Sequence, residues 1–250
     1  MMLMHSDNGT MLYDDKKNVI INGKKRIEIN PTAILNPGDS VLFDGINYVI
    51  MSYTPQFFPN IGERGAQIIN GRDSSYMVMA SGIEFGSTVI ESGTGSGALT
   101  TYILKITGNP EGYLGIDHNE NSAVFTKRNV KNFTGMDIRI DIGEFEDYVY
   151  SGKKADAIFL DLPEPWKNVP EQRKWILSGK RIVTYLPTYN QVEKTREEYE
   201  KYGFLHLETV EIEGRDIQVK TGATRPKSTG IIHTGFISTY IKSSGSILKV

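Results

Sequence analysis

The sequence predicts an α/β fold: a mostly parallel sheet covered by helices, with an antiparallel pair at one edge and a small β domain ahead of it. Three observations carry this. From about residue 88 onward, β-favouring runs alternate with helix-length amphipathic segments. Ala155-Asp-Ala-Ile-Phe-Leu160 is almost wholly apolar, as a strand covered on both faces must be. Before residue 54 there are only short β-like runs cut by turns.

Taken in order, residues 1 to about 12 are methionine-rich and polar without a period, and are expected to fray. A β module spans Lys16 to Tyr53. Val19-Ile20-Ile21 meets Asn22-Gly23, and Arg26-Ile27-Glu28-Ile29 alternates. Asn36-Pro37-Gly38-Asp39 is a turn signal, and Asp44-Gly45 a hairpin signal between Val41-Leu42-Phe43 and Tyr48-Val49-Ile50. Thr54 to Gly65, with two prolines and two glycines, reads as a linker. The expected division is a domain and linker over 1–60 and a larger domain over 61–250. Asp73 is a plausible N-cap for a short helix to about Met79. Strands are expected near 88–91, 112–117, 137–141, 155–161, 180–186, 204–213 and 231–241. Helices fit near 97–107, 119–132, 170–178 and 188–202. The last two strands have no helix-length insert between them, hence the antiparallel edge.

Bulk properties narrow the class. A chain of 250 residues with 39% hydrophobic residues can bury a substantial core. The net charge of -2 means that any polyanion must be held by local basic patches. Absence of cysteine excludes disulfides and thiolate metal sites and fits a reducing, cytoplasmic setting. Four scattered histidines give no metal site. No signal-peptide pattern and no membrane-length apolar run is found.

The chemistry concentrates around Thr88-Val-Ile-Glu-Ser-Gly-Thr-Gly-Ser-Gly-Ala-Leu99. A strand, a turn with glycines at 93, 95 and 97, and a helix start form a Rossmann-like nucleotide-cofactor layout. Glycine tolerates positive φ and lets a ligand approach the backbone. Read as Gly93-x-Gly95-x-x-Ala98, the turn also satisfies the loose dinucleotide fingerprint. Glu91, two residues before the first glycine, would repel a pyrophosphate but suits a cationic ligand such as S-adenosylmethionine, which bears a sulfonium and an ammonium. Asp117 ends the next strand and can accept both hydroxyls of a ribose, or cap the following helix; it does not discriminate NAD from S-adenosylmethionine. Asp141 ends the third strand and can accept from an adenine amino group. Asp161-Leu-Pro-Glu164-Pro165-Trp166 follows the most apolar strand. Two prolines stiffen this loop, and two carboxylates with an indole suit a planar base carrying an exocyclic amine.

The chain resembles the tRNA adenine N1-methyltransferases that modify position 58 in the T-loop. The resemblance rests on Arg64-x-x-Gln67-Ile-Ile, Asp73-Ser74, Glu91 to Leu99, Asp161-Leu-Pro-Glu-Pro-Trp166, Leu186-Pro-Thr-Tyr-Asn190-Gln191-Val192 and His233-Thr-Gly-Phe236, in the family's order over about residues 60 to 240. It implies a class I methyltransferase sheet, an N-terminal β domain, S-adenosylmethionine as cofactor, tRNA as partner and a homotetramer built as a dimer of dimers. Carried onto this chain, Gln67, Glu91, Gly93, Gly95, Ser96, Gly97, Ala98 and Leu99 belong to the cofactor side, with Ser96 to Leu99 at its methionine end. Asp117 would hold the ribose, where relatives more often have Glu, and Asp141 the adenine. Asp161 would stand beside both the methyl donor and the target base and act as the catalytic residue. Glu164, Trp166, Asn190 and Arg225 are the candidate RNA contacts. The chain departs from the pattern at Asn70, where many members carry an aromatic residue; Tyr189 or Trp166 would then have to supply the stacking.

Adenine N1 has an in-plane lone pair, so no base need remove a proton before attack. Alignment and stabilisation of developing positive charge are what the protein must supply. Four basic clusters could meet RNA: Lys24-Lys25-Arg26; Lys127, Arg128 and Lys131; Lys167, Arg173 and Lys174; and Arg215, Lys220, Arg225 and Lys227. The last is favoured because it is loop-like. An aromatic strand near Phe236 and Tyr240 could serve as interface or core. Other readings are the same fold acting on another RNA or a small molecule, a catalytically inactive tRNA-binding subunit, and, more distantly, a NAD-dependent dehydrogenase.

Overall fold

The computed structural model describes residues 1–22, 25–31, 34–58, 68–227 and 233–245. Strands β1 (Met2–Ser6), β2 (Gly9–Asp14), β3 (Val19–Asn22), β4 (Lys25–Glu28), β5 (Ser40–Phe43) and β6 (Ile46–Ser52) form one antiparallel sheet, ordered β4-β3-β2-β1-β6-β5. The first twelve residues do not fray. They form the β1–β2 hairpin, with Leu3 paired to Leu12 and Met4 to Met11. Leu3 and Leu12 join one apolar cluster, Met4 and Met11 another. A strand apolar on both faces loses the alternation that would have identified it. The Asp44-Gly45 hairpin forms as expected, both residues at positive φ (50° and 75°). This sheet packs through Tyr53 and Phe58 onto Phe133 of the larger unit. The expected boundary near residue 60 lies outside the described residues.

The second sheet contains β7 (Val89–Ser92), β8 (Tyr113–Asp117), β9 (Arg139–Ile142), β10 (Ala155–Leu160), β11 (Ile176–Leu186), β12 (Phe204–Glu211) and β15 (Phe236–Lys242), ordered β12-β15-β11-β10-β7-β8-β9. From β11 to β9 the neighbours are parallel. β15 runs antiparallel between β11 and β12. Helices α1 (Gly71–Ser81), α2 (Ala98–Thr107), α3 (Glu120–Thr134), α4 (Val169–Trp175) and α5 (Tyr189–Lys201) complete the unit. A two-stranded ribbon, β13 (Ile217–Gln218) with β14 (Arg225–Pro226), stands on the connection between β12 and β15.

Two local expectations change, and one open choice is decided. The N-cap of α1 is Asn70, whose side chain accepts from the amides of Arg72 and Asp73; Asp73 is buried in the first turn. The helix expected over 170–178 stops at Trp175, because Trp175 is buried under Phe145, Tyr148 and Tyr150 and Ile176 enters the sheet beside Ala155. Gly179 (φ 79°) lies in the irregular stretch of β11 that follows. The strand carrying Phe236 and Tyr240 is core, at 6% and 0% exposure; the exposed edge is β12. The strand order reverses direction between β10 and β7, so the loops leaving those two strands part and open a crevice at their carboxyl ends.

Candidate active site

The glycine turn after β7 is shaped by contact. Gly93 has φ 84°, and a Cβ there would stand 2.2 Å from the Asp161 carbonyl oxygen. Only glycine lets the β7 loop lie against the β10 loop at this point. The Asp161 amide donates to the Ser92 carbonyl (3.0 Å), and the Gly93 amide to the Ile116 carbonyl (2.9 Å). Helix α3 braces the turn from behind. Thr126 donates to the Gly95 carbonyl (2.9 Å) and Asn129 to the Ser96 carbonyl (2.9 Å).

Glu91 is not at the mouth of this loop. It is 1% exposed, beneath the turn, accepting from Thr100 (2.8 Å) and Tyr113 (2.6 Å) hydroxyls. It ties β7 to α2 and β8. Burial, with lesser repulsion from Asp161 and Asp117, pushes its pKa up to about 8.

Asp117, at the end of β8, is 6% exposed. One carboxylate oxygen accepts from Thr94 (3.1 Å) and the Gly95 amide (3.0 Å), the other from the Asn119 amide (2.9 Å). Capping of α3 falls to Asn119, which accepts from the amides of Asn121 and Ser122. Asp117 is thereby held facing the cleft rather than used as a cap.

Asp161 faces Asp117 across the crevice. Its carboxylate has no hydrogen-bond partner among the described residues. Enclosure by neighbours, with Asp117 adding repulsion, pushes its pKa to about 7. The loop it heads is fixed from two sides. Gln172 donates to the Pro165 carbonyl (2.7 Å) and Gln191 to the Pro163 carbonyl (2.9 Å).

The cleft so formed has a volume of about 340 Å³. Gly93, Gly95, Asp117, Asp161 and Glu164 line it with Ser92, Leu162 and Pro163 of the same two motifs and Lys167 of a basic cluster, together with residues the sequence reading missed: His118, Ser122, Gly143, Glu144, Phe145 and Glu146. Gly143 to Glu146 follow β9, so the rule that ligands sit at strand carboxyl ends could have found them. At the rim, Lys167 bridges Glu146 (2.7 Å) and Glu164 (2.8 Å).

Several expected residues lie elsewhere. Ser96, Gly97, Ala98 and Leu99 are buried at the start of α2 and do not line the cleft. Asp141 is bound by Arg139 (2.8 and 2.5 Å) and by the Tyr148 hydroxyl (2.6 Å), which lowers its pKa. Trp166 packs on the core beside the cleft, and the Lys194 ammonium covers its ring at 4.5 Å. Asn190 is exposed on the first turn of α5, and Arg225 is exposed on the ribbon. Gln67 and Arg64 lie outside the described residues.

A second polar group gathers on Asp73. Asp73 is fully buried, and one of its oxygens accepts from Asn70 (2.8 Å), Tyr185 (2.8 Å) and Thr234 (2.7 Å). Asn70 therefore spends its amide on α1 and Asp73. Gly235 passes so close to Tyr185 that a Cβ would meet the ring at 2.5 Å.

Carboxylates dominate the cleft, which favours a cationic ligand over a pyrophosphate. Asp117 suits a ribose, and the unpartnered Asp161 can accept from an amine. These residues fit S-adenosylmethionine.

The model of the family described as "tRNA methyltransferase complex GCD14 subunit" matches residues 45–235. The tRNA (adenine(57)-N(1)/adenine(58)-N(1))-methyltransferase TrmI of Methanocaldococcus jannaschii is 34% identical over 194 residues, covering 67% of this chain and 68% of that one. The tRNA (adenine(58)-N(1))-methyltransferase TrmI of Thermus thermophilus is 28% identical over 179 residues, covering 70% and 69%. Among solved structures, the tRNA (m1A58) methyltransferase TrmI of Aquifex aeolicus superposes with a TM-score of 0.78 at 25% identity, covering 100% of this chain and 97% of that one. A SAM-dependent O-methyltransferase of Thermotoga maritima, at 22% identity and TM-score 0.82, shares the fold.

Proposed function

Because the chain belongs to the tRNA methyltransferase family of the GCD14 subunit, we propose that it methylates N1 of an adenine in the tRNA T-loop, at position 58 with 57 as the neighbouring candidate. S-adenosylmethionine, bound in the cleft, supplies the methyl group. The observation that carries the reading is Asp161: a half-buried carboxylate with no hydrogen-bond partner among the described residues, at the carboxyl end of β10, lining the cofactor cleft.

Each residue has a distinct task. Asp117 holds ribose hydroxyls, kept in place by Thr94 and two backbone amides. The acidic cleft wall favours a cationic donor over its neutral product. Asp161 accepts the exocyclic amine hydrogen of the target adenine. As N1 becomes alkylated the base gains positive charge, and an ionised Asp161 stabilises that state more than the substrate. The target base is flipped from the folded RNA at a cost of a few kcal/mol. Tyr185, anchored on Asp73, stands where Asn70 offers no ring.

RNA affinity comes from the ribbon. Lys127 donates to the Ile140 carbonyl, Arg128 lies over Phe125 and Lys131 pairs with Asp137. Lys167, Arg173 and Lys174 are likewise engaged locally. Lys24 lies outside the described residues. Arg215, Lys220 and Arg225 are exposed and have no ion-pair partner among the described residues, while Arg72 pins the ribbon's base through Asp216 (2.6 Å) and the Gly214 carbonyl (3.2 Å). We further place the protein in the cytoplasm as a homotetramer, with residues 1–60 and 61–250 as its two domains. Leu205 and Leu207, 61% and 48% exposed on edge strand β12, support self-assembly.

The test is methylation of an unmodified tRNA transcript with labelled S-adenosylmethionine, followed by mapping of the modified nucleotide. Label at N1 of A58 or A57 is expected. Label elsewhere, or none with tRNA while a small molecule accepts it, overturns the proposal.

A further inference from the structure

Three rings meet where β11, α5 and β15 converge. Phe236 is buried, at 6% exposure. Tyr189, the first residue of α5, is 69% exposed, with its ring 4.5 Å from that of Phe236 and tilted 33°. The His233 ring also contacts Phe236, at 4.9 Å and 47°. Its Nδ1 is 2.5 Å from a Glu211 carboxylate oxygen and its Nε2 3.0 Å from the Pro187 carbonyl. A carbonyl and a carboxylate can only accept, so this setting favours the doubly protonated imidazole. Glu211 and the Pro187 carbonyl raise its pKa accordingly.

This group is tied to the active cleft in two ways. Gln191, two residues after Tyr189, donates to the Pro163 carbonyl inside the Asp161 loop. Thr234, next to His233, donates to Asp73, which also anchors Tyr185. The backbone that carries Tyr189 and His233 is therefore linked to the Asp161 loop and to the Asp73 anchor. The basic ribbon rises between Glu211 and His233, so the RNA backbone is drawn to the same edge.

We infer that Tyr189 and His233, seated on Phe236, form a stacking platform for a nucleobase adjacent to the flipped target adenine. The inference rests on the proposed function and adds a second base subsite to it. Flipping one base opens the stack, and its neighbour then exposes a π-face to solvent. An aromatic face of this kind is suited to take that base by stacking, while the phosphates fall to the exposed Arg215, Lys220 and Arg225.

The experiment uses full-length tRNA transcripts carrying 2-aminopurine at 57 or 59, bound to the whole protein with S-adenosylhomocysteine. At one of these positions the wild type is expected to quench the fluorescence by stacking. Tyr189→Ala should lose the quenching and raise the KM for tRNA roughly 10-fold, with cofactor Kd within about twofold as the control for folding. Tyr189→Phe should restore both, and His233→Gln should weaken tRNA binding while leaving cofactor Kd unchanged. If Tyr189→Ala leaves KM and fluorescence unchanged, or raises KM without changing fluorescence, the platform is wrong and the methyltransferase reading stands. If the wild type neither binds nor methylates tRNA, both fall.

Discussion

Asp161 and Glu91 show how position alone separates two acids on neighbouring strands. Both have raised pKa values, but Glu91 is buried and held by two hydroxyls, whereas Asp161 is half-buried on the cleft and held by no group among the described residues. Asp161→Asn keeps the shape and removes the charge; it should lower the single-turnover methylation rate by about 100- to 1000-fold, with cofactor Kd changed far less. An Asp161→Asn rate near wild type would refute the role given to this carboxylate. The ionised form is the productive acceptor, so the wild-type rate should fall as pH drops below about 7, and a cationic donor in the cleft moves that midpoint lower. Stability has the opposite sign. Folded-state values of about 8 and about 7 lie above the ordinary 4.5 and 3.8. Between these limits the unfolded chain loses protons that the native state keeps. Denaturant unfolding of the cofactor-free protein should therefore show stability declining from pH 5 to 8.5, less steeply in Asp161→Asn. Glu91→Gln should be tolerated at pH 6, whereas Glu91→Ala leaves the Thr100 and Tyr113 hydroxyls only each other (3.3 Å) beside a void and should cost about 2–4 kcal/mol.

At the scale of elements, the site depends on how loops are pressed together. The β7 and β10 loops touch at Gly93, and Gly93→Ala must either break that approach or strain a left-handed backbone. A loss of about 2–4 kcal/mol is expected from the φ penalty and the clash together. Titration calorimetry should show cofactor binding impaired more than folding; unchanged affinity would mean that this contact does not shape the cleft. Helix α1 enters through Asn70, so Asn70→Ala should cost about 1 kcal/mol of cap energy and also free Asp73 to shift against Tyr185. Arg181 supports the other end of α1, donating to the Ala80 carbonyl at 2.8 Å.

For the whole molecule, charge is divided rather than absent. A net charge of -2 combines an acidic cofactor cleft with a basic ribbon on the connection between β12 and β15. This lets one chain attract a cationic cofactor and a polyanionic RNA without either field cancelling the other. Binding of tRNA should weaken steeply with salt, and replacing Lys220 and Arg225 by Ala should lower the magnitude of the log–log slope by roughly one to two. A slope unchanged in that variant would place the RNA on another face.

What local chemistry dictates was legible from residues alone. Alternating elements, the apolar β10, the glycine turn and the acids at the ends of β8 and β10 all follow from propensity, periodicity and steric rules acting within a few residues. The motif at 161–166 marked the cleft for the same reason: its prolines and carboxylates are adjacent in the chain. Where two distant segments meet, sequence was silent. The first hairpin is ordered because both its faces are covered. Glu91 went under the loop because Thr100 and Tyr113 close over it. Asp141 turned to Arg139 and Tyr148, and Gly143 to Glu146 came to the cleft instead. Asp73 became an anchor for Tyr185 and Thr234, separated from it by 112 and 161 residues. Burial and hydrogen-bond satisfaction decide such positions, and both depend on partners that only the folded chain brings within reach.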